Sequence, residues 1–325
     1  MAKRPQENIL KNIETLDEIK EPLLRWFYSE KSSLPWREEA TPYRVWVSEI
    51  MLQQTRVEAV KPYFERFVAA LPDVRALARA DETTLMKLWE GLGYYSRARH
   101  LQSAARLICS DHGGEIPAHF DGLLALPGIG RYTAGAVASI AFGERRPAVD
   151  GNVLRVIMRL LACPADILKE STKRAVEEAL IARLPENAGD FNQALMELGA
   201  LVCLPRGAAR CPSCPLERLC LAKEANLQAE LPQKTPPKRR RTEKLTIFLL
   251  SKNGKIALKK RPSHGLLAGL WGFPAMEGHL KKNEAAKTLQ ALGLIPAKLH
   301  ALPTAQHIFS HITWQMVGWR VELAE

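Results

Sequence analysis

Two carboxylic acids, Glu49 and Asp150, sit in sequence contexts that pull their chemistry in opposite directions. Glu49 lies in a stretch opened by Thr41-Pro42, a hydroxyl cap followed by proline, which predicts a helix running to about Thr55. On such a helix Glu49 shares a face with Val45, Trp46, Leu52 and Gln53, so its carboxyl is partly desolvated and its pKa rises. That suits a general acid working near neutral pH. Asp150 precedes Gly151-Asn152-Val153-Leu154, which reads as a helix start, and a carboxylate at a helix N-terminus is stabilised as the anion. One acid kept protonated and one kept charged is the division that glycosyl cleavage requires. Taken singly, an ion-paired helix residue and a plain N-cap account for the same two positions.

Cys203, Cys211, Cys214 and Cys220 fall within eighteen residues. Four thiolates so close can wrap one metal centre, and by spacing alone zinc and a [4Fe–4S] cluster are equal candidates. Arg206, Arg210 and Arg218 would aim positive charge outward from this loop. Cys109 and Cys163 stand alone in helical stretches and read as core residues. A third signal is Leu126-Pro127-Gly128-Ile129-Gly130-Arg131-Tyr132-Thr133-Ala134, placed between the helical patterns Phe120 to Ala125 and Thr133 to Phe142. Gly128 and Gly130 permit a tight hairpin, after which the second helix points free N–H groups at whatever lies before it. Such a terminus binds phosphate without reading sequence.

Elements that would position these groups divide the chain in two. From about Glu7 to Glu230 apolar residues recur at threes and fours, broken at Leu71-Pro72-Asp73 and Asp111-His112-Gly113-Gly114. Residues 231–243 carry three prolines and the run Lys238 to Arg241, which reads as an exposed, extended linker. Beyond it the period becomes two. Leu245 to Leu250 and Ile256 to Lys260 flank Asn253-Gly254, a hairpin signal, and Gln306 to Leu323 also reads as strand. The fold class is therefore multidomain: an all-α domain over residues 1–230, then a smaller α+β domain over 244–325. Within the first, a hairpin-bearing part spans about 57–142, and a part with the N-terminus and cysteines spans about 7–56 and 143–222.

Composition agrees with a folded protein that meets a polyanion. The formal net charge is +11 and the pI about 9.4, and each neutralised phosphate releases counterions. No stretch approaches the roughly 20 apolar residues that span a membrane. The polar start from Met1 to Asn12 has no apolar signal core, which points to a reducing, cytoplasmic compartment where cysteines serve as ligands.

The helical domain closely resembles adenine DNA glycosylases of the MutY type, in the endonuclease III superfamily. The resemblance is carried by Leu34-Pro-Trp-Arg37, Ser48 to Thr55, Gly91 to Arg97, Leu126 to Ala134, Val149 to Val153 and the four cysteines. It implies a monomeric bacterial helix-hairpin-helix enzyme, at the nucleoid when bound to duplex DNA, with a [4Fe–4S] cluster on Cys203, Cys211, Cys214 and Cys220. It implies that Glu49 protonates an adenine mispaired with 8-oxoguanine or guanine, and that Asp150 attacks or shields the sugar. Asn152 and Tyr132 would help hold the transition state. Leu34, Trp36, Arg37, Gln54, Tyr94, Gly128 and Gly130 would contact DNA, with Gln54 and Tyr94 probing or wedging the duplex. Related bifunctional lyases carry a Schiff-base lysine where this chain has Tyr132, which implies a glycosylase with little or no strand cleavage. One departure is the seven residues from Leu204 to Arg210 between the first two cysteines, where the family has six.

Arg261 to Pro274 resembles the start of the family's MutT-like, Nudix-like domain. An active Nudix hydrolase needs a helix of clustered glutamates for divalent metal, whereas the corresponding helix, Ala286 to Leu294, has no carboxylate. The resemblance implies a recognition module in which Phe309, Ser310 and His311 form the lesion-reading loop. Two other classes are a damage-binding protein that does not cut, which needs no Glu49–Asp150 pair, and a nucleotide pyrophosphatase, which needs the missing glutamates.

Overall fold

The computed structural model describes residues 11–205, 209–236, 239–262 and 264–324. Residues 1–10, Arg206 of the basic loop, Lys238 of the linker, Ser263 and Glu325 lie outside the described residues. The chain forms two compact units, residues 1–235 and 236–325.

The first unit is helical, and its helix starts follow local chemistry. Thr41 caps Pro42–Leu52 by accepting from Arg44 N at 3.4 Å. Asp73 caps Val74–Arg79, Asp81 caps Glu82–Trp89, and Asp150 caps Gly151–Leu160. Two cores form. One gathers Leu34, Trp36, Trp46, Met51, Phe64, Phe67, Trp89 and Leu101. The other gathers Leu23 and Phe27 of Lys20–Glu30 with Ile157, Val176, Phe191 and Leu198. Residues 34–51 therefore pack with the hairpin-bearing part, whereas the sequence grouped them with the N-terminus. Their buried aromatic face meets the Val57–Ala70 helix, Trp36 standing edge-on to Phe64 at 5.4 Å.

Two close approaches set the seam between these cores. A Cβ on Gly135, in Arg131–Phe142, would lie 2.2 Å from the Pro147 carbonyl oxygen. A Cβ on Gly199, in Ala188–Leu201, would lie 2.6 Å from Asn152 Cβ. Asn192 fastens the same segment, accepting from Ala148 N at 3.1 Å and donating to the Arg146 carbonyl at 2.7 Å. Both helices thus press on residues 146–152 with only hydrogen atoms between.

The linker begins later than the sequence suggested. Leu231 is buried, its carbonyl accepts from Arg159 Nε at 2.8 Å, and Gln233 O accepts from Ile167 N at 3.2 Å. These contacts hold the proline-rich stretch against the helical unit, so it is not an exposed connector there.

In the second unit a sheet runs β2 (Lys255–Ile256), β1 (Arg241–Lys252), β7 (Ile312–Leu323), β6 (Pro296–Ile308), with β5 (Ala275–Glu277) also paired to β1. β1 and β7 are parallel; β6 and β7 form an antiparallel hairpin. The stretch Gln306 to Leu323 is thus two strands, broken at Phe309-Ser310-His311. Ile256 to Lys260 also divides: β3 (Lys259–Lys260) leaves the sheet to pair with β4 (Trp271–Gly272). Asn253 and Gly254 turn with φ of 50° and 71°, as the two-residue hairpin requires. Lys282–Ala291 places Ala285 and Leu289 on Phe248, Leu250 and Val321.

Gly135→Ala should destabilise the helical unit by about 1–3 kcal/mol, because backbone rather than a flexible side chain meets the new methyl. Gly130→Ala, which meets nothing within 4 Å, should cost less. Urea denaturation of both variants checks the order.

Candidate active site

Glu49 is 6% exposed, on the buried side of Pro42–Leu52. Its Oε2 accepts a 2.7 Å hydrogen bond from Tyr132 Oη, on the second turnward helix of the hairpin. Burial raises its pKa to about 7; the Tyr132 hydrogen bond and the Arg37 charge pull down, and the Asp150 charge pushes up. Tyr132 Oη also lies 3.5 Å from Met196 Sδ, and burial with the two nearby carboxyls drives its own pKa far up. The phenol therefore donates and does not ionise. The helix ends at Leu52 rather than near Thr55: Gln53 turns away, donating to Thr133 Oγ1 at 3.2 Å, and Gln54 takes φ of 58°.

Asp150 is the N-cap the sequence suggested. Its Oδ1 accepts from Asn152 N at 2.9 Å and Val153 N at 2.7 Å, and its Oδ2 from Asn152 Nδ2 at 2.7 Å. One expectation is corrected: the helix terminus does not hold this acid below its ordinary value. Burial outweighs the three hydrogen bonds and the Arg155 charge, so its pKa moves up. Arg155, which the sequence reading missed, holds Asn152 in turn by donating Nη2 to Asn152 Oδ1 at 2.8 Å, and also reaches the carbonyls of Gly199 and Cys203, each at 2.7 Å.

Beside Glu49 lies a second polar group. Arg37 pairs with buried Glu197 at 2.7 Å and donates Nε to Gln193 Oε1 at 2.8 Å. Glu197 Oε1 also accepts from Ser32 N and Ser32 Oγ. Sequence reasoning found Arg37 but not Gln193 and Glu197; the available signal was an acid inside the apolar run Ala194 to Val202. Leu34 and Trp36 are core residues, both buried, so their side chains offer no exposed DNA-contact surface.

Gln54 and Tyr94 are exposed, and both hold left-handed backbone, Tyr94 at φ of 48°. Buried Arg97 ties the two turns together. Its Nη1 donates to the carbonyls of Ile50, Met51 and Gln53 at 2.7–2.9 Å; its Nη2 reaches Thr55 Oγ1 and the carbonyls of Leu92 and Gly93 at 3.2–3.3 Å. Gly128 has φ of 78°, and a Cβ there would strike His100 at 2.5 Å. Gly130 precedes Arg131–Phe142 with no side-chain cap, leaving backbone donors for an anion.

Cys203, Cys211, Cys214 and Cys220 line one pocket with Arg159, Glu217 and Lys223. Among the described residues no three His, Cys, Asp or Glu side chains stand close enough to hold a single metal ion. Arg159 Nη1 donates to Cys203 Sγ at 3.2 Å, and burial pushes the Cys214 thiol up to about 12. Cys163 is buried and Cys109 half-buried, as core residues. Among the described residues no helix is long and apolar enough to cross a membrane.

In the second unit Phe309 is sandwiched edge-on between His307 at 4.5 Å and Trp314 at 4.8 Å, and Arg261 lies 5.1 Å from the Trp314 ring. Ser310 is exposed, its Oγ 3.2 Å from His311 Nδ1. The helix Lys282–Ala291 starts earlier than the sequence suggested and so contains one carboxylate, Glu284. Glu284 Oε2 accepts from Lys281 N at 2.7 Å, a capping contact at the first turn and not a glutamate cluster.

Residues 47–182 match the family described as HhH-GPD superfamily base excision DNA repair protein, and residues 246–325 match the NUDIX domain. The chain is 35% identical to the adenine DNA glycosylase of Homo sapiens, across 99% of this chain and 72% of that one. It is 31% identical to the adenine DNA glycosylase of Buchnera aphidicola subsp. Schizaphis graminum, across 93% and 87%. Among solved structures it is similar to a thermostable thymine-DNA glycosylase (27% identity, TM-score 0.58, 65% of this chain and 98% of that one). Endonuclease III trapped as a covalent DNA intermediate shares the fold (24% identity, TM-score 0.54, 68% and 98%).

Burial of Glu49 has a thermodynamic signature. Unfolding returns its pKa from about 7 to 4.5, so the unfolded chain releases the proton first. Its contribution is intact below about pH 4.5 and declines as pH rises to about 7. Glu49→Gln should therefore leave stability nearly unchanged at pH 4.5 and raise it at pH 8, by on the order of 1–3 kcal/mol. Urea titrations at the two pH values check this; equal effects at both would contradict it.

Proposed function

Because the chain belongs to the adenine DNA glycosylases, within the helix-hairpin-helix superfamily of base-excision repair proteins, we propose that it hydrolyses the N-glycosidic bond of adenine mispaired with 8-oxoguanine or guanine in duplex DNA. The observation that carries this reading is Glu49: a buried acid raised to about pH 7, held by Tyr132, with Asp150 near enough to act on its charge. Chemistry on a base inside a duplex requires its extrusion, at a cost of a few kcal/mol that is smaller for a distorted pair. Gln54 and Tyr94 would act on the duplex, and Gly128 to Arg131 would hold a phosphate of its backbone.

In the proposed step the C1′–N bond breaks, its electron pair leaves with adenine, and Glu49 gives its proton to the departing base. Asp150, the lower of the two acids in ordinary pKa, carries the negative charge that stabilises or bonds to the sugar cation. Arg155 and Asn152 hold Asp150 in place. Water then completes the sugar, returning a proton to Glu49. Arg37, held by Gln193 and Glu197, would keep a fixed positive charge beside this acid. Tyr132, held as a neutral donor, has no amine to form a Schiff base, which supports a monofunctional enzyme with little strand cleavage.

The four cysteines would hold a [4Fe–4S] cluster. Support comes from the pocket that all four cysteines line together, whose donors suit a thiolate-bound cluster. When bound, the cluster would hold the thiolates together against their burial and brace the loop after Ala188–Leu201. Ser310, between Phe309 and His311, would read the altered edge of oxidised guanine.

Single-turnover assays on duplexes with A opposite 8-oxoguanine, G or C test the reading. Glu49→Gln and Asp150→Asn should each slow excision by about 10²–10⁴-fold while binding persists; loss of binding instead would make them structural. The rate should fall as pH rises through about 7, since the acid form of Glu49 is the competent one. Ser310→Ala should reduce the preference for 8-oxoguanine over guanine by up to about tenfold, one neutral hydrogen bond, more than it slows excision. Strong nicking of the abasic product without heat or base would contradict the monofunctional assignment. Purified protein should contain iron and acid-labile sulfide in equal amounts, lost in Cys214→Ser; stoichiometric zinc would refute the cluster.

A further inference from the structure

The positive charge of the chain is not shared between its units. Residues 236–325 hold 15 Lys and Arg against 5 Asp and Glu, while residues 1–235 hold 31 against 30. The small unit therefore carries a net +10 of the formal +11, and the helical unit, which bears Glu49 and Asp150, is close to neutral.

Five carboxylates cannot neutralise fifteen cations, and three of them are already engaged. Glu243 meets Arg241 and Trp314 Nε1, Glu322 meets Lys298, and Glu284 caps its helix. Apart from the linker arginines 239–241, accessible charge is concentrated along the turn and strands that follow β1. Every residue from 252 to 260 is exposed, and the stretch includes Lys252, Lys255, Lys259 and Lys260. Lys252 and Lys255 are also direct partners across the Asn253–Gly254 turn. Like charges placed opposite each other on a ladder cost stability, and a polyanion lying across both reverses that cost. Lysines also guard exposed sheet edges against pairing, which accounts for one or two of them but not for an excess of ten.

We propose that the Nudix-like unit supplies the sequence-independent attraction to DNA, and that the Lys252–Lys260 edge is its phosphate-contact surface. The choice of DNA as the polyanion rests on the glycosylase reading above. On this view the helical unit contributes shape and chemistry, and the unit assigned to lesion reading also delivers the enzyme to undamaged duplex.

The test is the slope of log Kobs against log[salt] for the full chain on undamaged duplex, by fluorescence anisotropy. Each phosphate neutralised contributes about 0.9 to that slope. Replacing all four lysines by glutamine (Lys252→Gln, Lys255→Gln, Lys259→Gln, Lys260→Gln) should make the slope shallower by about 2 to 3.6. Excision at saturating enzyme should stay unchanged. The four-fold Lys→Arg variant should keep the parent slope, since it keeps the charge. An unchanged slope in the glutamine variant, as an acidic protein partner would give, overturns the proposal; so does an equal loss in the arginine variant. A parent chain that binds duplex with this salt dependence but excises no adenine would sink the glycosylase reading while leaving the surface standing.

Discussion

Keeping an acid protonated in a dry site is the constraint around which this molecule is organised. Glu49 has one phenol hydrogen bond and a second carboxyl close by, and the nearby Arg37 is already ion-paired with Glu197. Neither partner is local. Tyr132 comes from a helix more than eighty residues along the chain, and Asp150 from the segment that this helix presses on through Gly135. The glycine contacts, the Asn192 clamp on residues 146–148 and the Arg155 brace on Asn152 serve one geometric end. They bring two acids into mutual range at the seam of two cores, where water cannot screen them.

Groups that act through local context were legible in the sequence. The Thr41-Pro42 cap, the glycine hairpin, the Asp150 N-cap and the Asn253-Gly254 turn all depend on neighbours within a few residues, and their residue types announce them. Groups that act through tertiary contact were not. Gln193, Glu197, Arg97 and Arg155 are ordinary helix-compatible residues whose partners lie elsewhere in the chain. Leu34 and Trp36 sit in a motif that suggests contact with DNA, yet their side chains fill the core. Asp150 shows the limit of reasoning from one effect: the helix terminus was visible, while the burial that outweighs it arises only when three helices converge. The fold class and the order of the two units were readable throughout. The exact ends of elements were not, as Gln54 and Glu284 illustrate, because a side chain or backbone contact decides where a helix stops or starts.

The two units divide their physical work unequally. The helical one has two extensive cores and almost balanced charge; the other packs a small core around Phe248, Leu250 and Val321 under the Lys282–Ala291 helix and carries a large excess of one sign. Self-repulsion of that kind works against compactness. A small core therefore coexists with a charge distribution that a bound polyanion would relax.

Arg97 has a mechanical consequence. One buried guanidinium sets the distance between the turns that carry Gln54 and Tyr94, bonding to six acceptors on both sides. Two protruding tips held on a common rigid bracket form a gauge of fixed width. Were these tips to meet DNA as proposed, the duplex would have to supply the deformation itself, so the stiffness of its base steps would become a selectable property, and pairs that unstack easily would seat at lower cost than those that do not.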